Sequence, residues 1–136
     1  MKEDIKKRYV ELQLINQHIL QLQRQAQLIE EQITEFNNIS LSLDDLKKVK
    51  IGSKILVPLS SGIFVKARLE DNNELLINVG ANVIIKKDVN KTKELVKKQI
   101  MELQKAHKKV VKELENLVEV AETIKTELQK LIEKNV

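Results

Sequence analysis

The chain of 136 residues contains no cysteine, which excludes disulfides and thiolate metal sites and suits a reducing compartment. It has one proline and three glycines, so long stretches run without a helix breaker. Only Tyr9, Phe36 and Phe64 are aromatic, too few for the bulky core of a compact globule. No apolar run approaches the ~18 residues that span a bilayer. The charged start, Met1-Lys2-Glu3-Asp4, leads into no apolar signal segment, so the expected location is the cytoplasm, with no membrane partner. Charge of one sign is not concentrated either. Residues 1–43 carry a net −1, 44–90 a net +2 and 91–136 a net +3, with both signs interleaved. A dedicated nucleic-acid binder shows a denser basic face.

The sequence is instead rich in charged residues (32%) and in helix formers arranged with a period. Leu12, Ile15, Ile19, Leu22, Ala26, Ile29, Ile33, Phe36, Ser40 and Leu43 follow alternating three- and four-residue steps. Ile5 extends the register backwards and Arg8 breaks it. The second stripe is Val96, Ile100, Leu103, His107, Val110, Leu114, Leu117, Ala121, Ile124, Leu128 and Leu131. A 3.5-residue apolar period held over several heptads predicts helices packed along their length. Asn90 and Thr92 are the candidate caps of the second helix.

Between the stripes the pattern changes. Ile55–Leu59, Ile63–Leu69, Leu75–Gly80 and Val83–Lys87 read as four short strands separated by Ser60-Ser61-Gly62, Asp71-Asn72-Asn73 and Ala81-Asn82. Pro58 suits an edge, since it cannot donate to a ladder. The predicted fold class is therefore α+β: a long antiparallel two-helix coiled coil with two β-hairpins between the helices. Its segments are an N-terminal helix over 1–43, a linker and hairpins over 44–90, and a C-terminal helix over 91–136, all in one domain over 1–136. Four short strands cannot bury a core alone and leave unpaired edges, so the hairpins read as an assembly device. Its residues are Ile55, Val57, Ile63, Phe64, Val65, Leu76, Ile77, Val79, Val83 and Ile85.

The stretch Ile55-Leu56-Val57-Pro58-Leu59-Ser60-Ser61-Gly62-Ile63-Phe64-Val65-Lys66-Ala67, followed by Leu75-Leu76-Ile77-Asn78-Val79-Gly80-Ala81-Asn82-Val83, resembles the archaeal α-class subunits of prefoldin. Their pattern runs approximately ILVPLGxGxFVKA, then VLVxVGxGVxVEK. Two hairpins fit the α class, since the β class has one. Ser60 and Asn82 stand where that family usually has Gly, and Lys86 where Glu is common, a change that bears on partner identity rather than fold. Asn tolerates left-handed geometry, so the second turn is expected to survive. The resemblance implies a prefoldin-like hexamer of two α-type and four β-type subunits on a barrel of hairpins. It also implies capture of unfolded proteins at free coiled-coil tips and transfer to a group II chaperonin without ATP. A paralogous archaeal group forms filaments, so self-assembly is the alternative.

At the tips, Ile5, Tyr9, Val10 and Leu12 begin the first helix, while Leu128, Leu131, Ile132 and Val136 end the second. Val10 and Ile132 fall off the seam, where pairing alone leaves them uncovered. The competing reading is that these are ordinary terminal heptad residues. His107 lies on the seam and the other histidine, His18, lies off it, which favours a polar break in the core over a metal site. Gly52-Ser53-Lys54 lacks the order of a phosphate loop. Asp44-Asp45 and Asp71 read as turn or cap residues. No nucleophile–base constellation occurs, so neither an enzyme nor a cofactor is expected. The lysines from Lys86 to Lys112 have glutamates among them and read as a solvated face, with a nucleic-acid-binding coiled coil as the third alternative.

Overall fold

The structure is a computed structural model that describes residues 2–135. Its elements are α1 (Lys2–Lys48), β1 (Lys54–Ser60), β2 (Ile63–Arg68), β3 (Glu74–Asn78), β4 (Ile84–Asp88) and α2 (Val89–Lys134). The predicted fold class and element order hold. No described helix is long and apolar enough to cross a membrane. The contacts divide into two units, Met1–Ile33 with Glu102–Val136 and, separately, Thr34–Met101.

In the first unit the two helices run antiparallel, with Glu30 meeting His107 and Arg8 meeting Glu127. The core is the seam that the heptads predict. Leu22, Ala26, Ile29 and Val110 form a buried cluster, against which Ile33, Leu103, Leu114 and Leu117 pack. Ala121 and Ile124 are buried as well. Arg8 does not leave the seam. Its stem stays half-buried while its guanidinium reaches Glu11 at 3.1 Å and Glu127 at 2.9 Å, as long cationic side chains can. The Glu127 Oε2 is buried without an aligned hydrogen bond, and Arg8 supplies its counter-charge. His107 is half-buried in the seam, with Nε2 2.9 Å from Glu30 Oε1, which satisfies the one polar group the stripe carries there.

The second unit holds the last turns of α1, both hairpins and the first turns of α2. Its buried residues are Leu43, Val89 and Val96. Helix α1 runs five residues past the predicted 43. Asp44 and Asp45 are therefore helical residues, not turn or cap residues, because Leu46 and Val49 prolong the half-buried stripe beyond Leu43. Asp44 pairs with Lys93, and Lys47 donates to the Asn90 side chain. The Lys93 bond, helped by its charge and those of Lys47 and Lys48, holds the Asp44 carboxyl below its ordinary range against an opposing cost of desolvation.

The cap of α2 is Asp88, not Asn90 or Thr92. Its carboxylate accepts the Lys91 N–H at 2.7 Å, while Thr92 Oγ1 donates to the Asp88 carbonyl at 2.9 Å. Strand β4 ends where the cap begins, so one residue serves both elements.

Each sheet is an antiparallel pair, β1–β2 and β3–β4. In the first, Pro58 lies opposite Phe64, and the register slips by one residue before Ser60 meets Ile63, which leaves Leu59 as a bulge. With two strands per sheet every strand is an edge, so Pro58 meets its requirement. In the second hairpin Val83 N–H closes a turn onto Gly80 carbonyl at 2.9 Å, with Ala81 and Asn82 both at positive φ (50° and 60°). This is a type I′ turn, whose twist matches the strands, and Asn82 keeps it as expected. Asp71 is the turn residue the sequence indicates. Its carboxylate accepts the N–H groups of Asn73 (2.7 Å) and Glu74 (3.1 Å), which lower its pKa in that order.

Candidate functional site

Two apolar surfaces carry the sequence's candidate residues, one in each unit. In the helical unit the heptad register decides what remains exposed. Ile5, Leu12, Leu128 and Leu131 are half-buried along the seam. Tyr9 (54% exposed), Val10 (52%) and Ile132 (46%) stand off it. Val136 lies outside the described residues. Sequence reasoning missed Leu14 and Val120, both exposed, which with Ile15 and Ile124 floor a groove bordered by Arg8, Glu11, Glu119, Thr123 and Glu127. The exposure of Leu14 was readable, since it breaks the alternation between Leu12 and Ile15 and cannot share their face; its pairing with Val120 was not.

In the second unit the hairpins expose apolar side chains that a self-sufficient sheet would bury. Val57, Ile63, Phe64, Val65, Leu76, Val79, Val83 and Ile85 are exposed, whereas Ile55 and Ile77 are half-buried. Leu56, Leu59 and Ile84 are as exposed as the candidates and were not among them. They sit in the same apolar runs, and only the register shows that Leu56 shares a face with Phe64, and Ile84 one with Leu76, while Leu75 and Ile77 turn to a half-buried face.

The hairpins are tied to their neighbours through backbone. Gly52 N–H donates to Leu69 carbonyl (2.7 Å) and Leu69 N–H to Ser53 carbonyl (2.9 Å), which extends the first ladder past Lys54 and Arg68. Val89 N–H donates to Asn73 carbonyl (2.8 Å), and Asn72 Nδ2 to Val49 carbonyl (3.0 Å). The roots of both hairpins are thus fixed, while their apolar faces stay open.

The lysine run is partly paired, with Lys93 held by Asp44 and Lys86 lying 3.7 Å from Glu74. The described residues contain no group of three His, Asp or Glu side chains placed to hold a metal.

Residues 15–134 match the family model for prefoldin subunits. The prefoldin subunit alpha of Methanococcus aeolicus is 28% identical over 98% of this chain and 90% of its own length. That of Methanococcus maripaludis is 30% identical over 96% of this chain and 78% of its own. Among solved structures, filamentous PFD from Methanocaldococcus jannaschii superposes with a TM-score of 0.75 at 18% identity, covering 85% of this chain and 96% of that one. The match spans both helical stripes and the hairpins between them, and the chain belongs to the prefoldin family of chaperone subunits.

Proposed function

We propose that the chain is a cytoplasmic, ATP-independent holdase subunit that grips unfolded proteins at the helix ends of its first unit and passes them to a group II chaperonin. The observation that carries this reading is the exposure of Tyr9, Val10 and Ile132, large apolar side chains off the seam where the coiled coil has no use for them. Each contact is weak. Several such ends on one assembly gain affinity because binding at one raises the effective concentration at the rest. The hairpins supply the assembly, in a hexamer with β-class prefoldin subunits, and their exposed apolar faces support that role. Deleting residues 1–10 and 127–136 is expected to abolish protection of an unfolded client from aggregation and to leave the number of subunits in the assembly unchanged. Protection that survived the deletion would refute the assignment to the helix ends.

A second reading is favoured by the likeness of the fold to a filamentous PFD. Hairpins that pair copy to copy without closing a ring generate an open filament. Native mass of the purified chain separates the two. A discrete dimer supports an α-type core that awaits other subunits, and a broad ladder of large masses supports the filament.

A further inference from the structure

The register of the first hairpin brings like charges together. Lys54 lies directly opposite Arg68, Leu56 opposite Lys66, and Pro58 opposite Phe64. Alternation along a strand places these six residues on one face, so three cations share it with exposed Leu56 and Phe64. Like charges directly opposite across a ladder are destabilising. No ion pair among the described residues involves any of the three, and Arg68 reaches only the Gly52 carbonyl, at 3.3 Å. The reverse face, with Val57 and Val65 exposed beside Ile55 and Ala67, carries no charge.

The second hairpin does not supply the missing anions. Glu74 lies opposite Asp88, but Glu74 has Lys86 at 3.7 Å and the Asp88 carboxylate is committed to the cap of α2. The strands of a second copy therefore bring either another basic face or carboxylates already in use. Of the two edges of the first hairpin, Pro58 blunts the one along β1, where it cannot donate. The β2 edge alternates Ile63, Val65 and Ala67 on the apolar face with Phe64, Lys66 and Arg68 on the basic face.

We propose that the β2 edge takes an extended strand from a different chain, with carboxylates on one face and apolar side chains on the other. Backbone hydrogen bonds to the open edge supply affinity, and carboxylates beside Lys66 and Arg68 relieve their repulsion with Lys54 and select the partner. The proposal rests on the reading of the hairpins as assembly surfaces and adds the chemistry of what they accept. A phosphate backbone fits less well, because the cations are few and half of the edge is apolar.

The test uses the full chain and two fluorescein-labelled octapeptides, one alternating Val with Glu and the other Val with Lys, followed by anisotropy at low and high salt. The Glu peptide is expected to bind at least ~10-fold tighter at low salt, with the gap narrowing as salt screens it. K66E/R68E should reverse the preference, and the neutral K66Q/R68Q, at the same exposed positions, should erase it in a chain whose helical signal is unchanged. Equal binding of both peptides would overturn selection by charge while leaving the hairpins as strand-docking surfaces. Binding of neither at any salt would overturn the assembly reading as well. A single-stranded oligonucleotide that displaced the Glu peptide at lower concentration would assign the face to phosphate and overturn the proposal.

Discussion

The helical unit and the hairpin unit are built on opposite principles. Along the helices, the apolar residues at heptad positions recur every three or four residues and pack into one seam, so Leu22, Ala26, Ile29, Val110, Ala121 and Ile124 are buried within a single chain, while off-register residues such as Leu20, Leu28 and Met101 stay exposed. In the hairpins, apolar residues sit on both faces of two-stranded sheets, and Leu56, Phe64, Leu76 and Ile84 remain in water. The first pattern satisfies itself and the second does not. The same residue type therefore does different work in the two places, holding the chain together in one and leaving surface for a partner in the other.

Paired substitutions break this comparison most sharply. Leu22→Ala removes a buried side chain from the central cluster and is expected to cost about 2–4 kcal/mol, read as a lower midpoint in denaturant. Leu56→Ala removes an exposed one and should leave the same midpoint within about 0.5 kcal/mol while weakening association, read by native mass. Equal losses of stability from both would mean that the hairpin face is covered within the chain. Melts need matched protein concentrations, because assembly adds to apparent stability.

Smaller effects sharpen the junction between hairpin and helix. Asp88→Ala deletes the cap of α2 and should cost about 1 kcal/mol, with faster amide exchange at Lys91 and its neighbours. Ala81 holds φ at +50°, where its Cβ is strained. Ala81→Gly should raise the midpoint by up to about 1 kcal/mol, whereas Gly80→Ala, at φ +104°, should lower it.

Acid completes the series. Asp44 and Asp71 both have pKa values depressed below the ordinary 3.8, so each contributes stability that is fully present above that value and is lost as pH falls through its folded pKa. As pH falls below that value, amide signals around Asp44 and Asp71 should move as the two carboxylates protonate. Asp44→Asn with Asp71→Asn should flatten that dependence.

Both helical stripes were legible because a heptad is a local code: burial of each position follows from its spacing to the next, and the structure buries or half-buries every stripe residue from Leu12 to Leu43 and from Val96 to Leu131. The helix ends were not. Asp44-Asp45 looks like a turn by residue type, yet Lys93, 49 positions away, draws Asp44 into an ion pair within the helix. Asp88 falls just past the predicted strand over Val83–Lys87, and its role as a cap appears only once α2 starts at Val89. At the helix ends Tyr9, Val10 and Ile132 could be told from the seam by register, while the groove floored by Leu14 and Val120 required the partner helix to be in place.

The elements, their order and the inward positions of the helices follow from the residue pattern, because periods of 3.5 and 2 convert directly into faces. Tertiary structure alone decided the antiparallel contacts of Arg8 with Glu127 and Glu30 with His107, and the hairpin register that sets Lys54 against Arg68. Those depend on which distant residue arrives opposite, and a one-residue slip would carry every side chain of a strand to the other face.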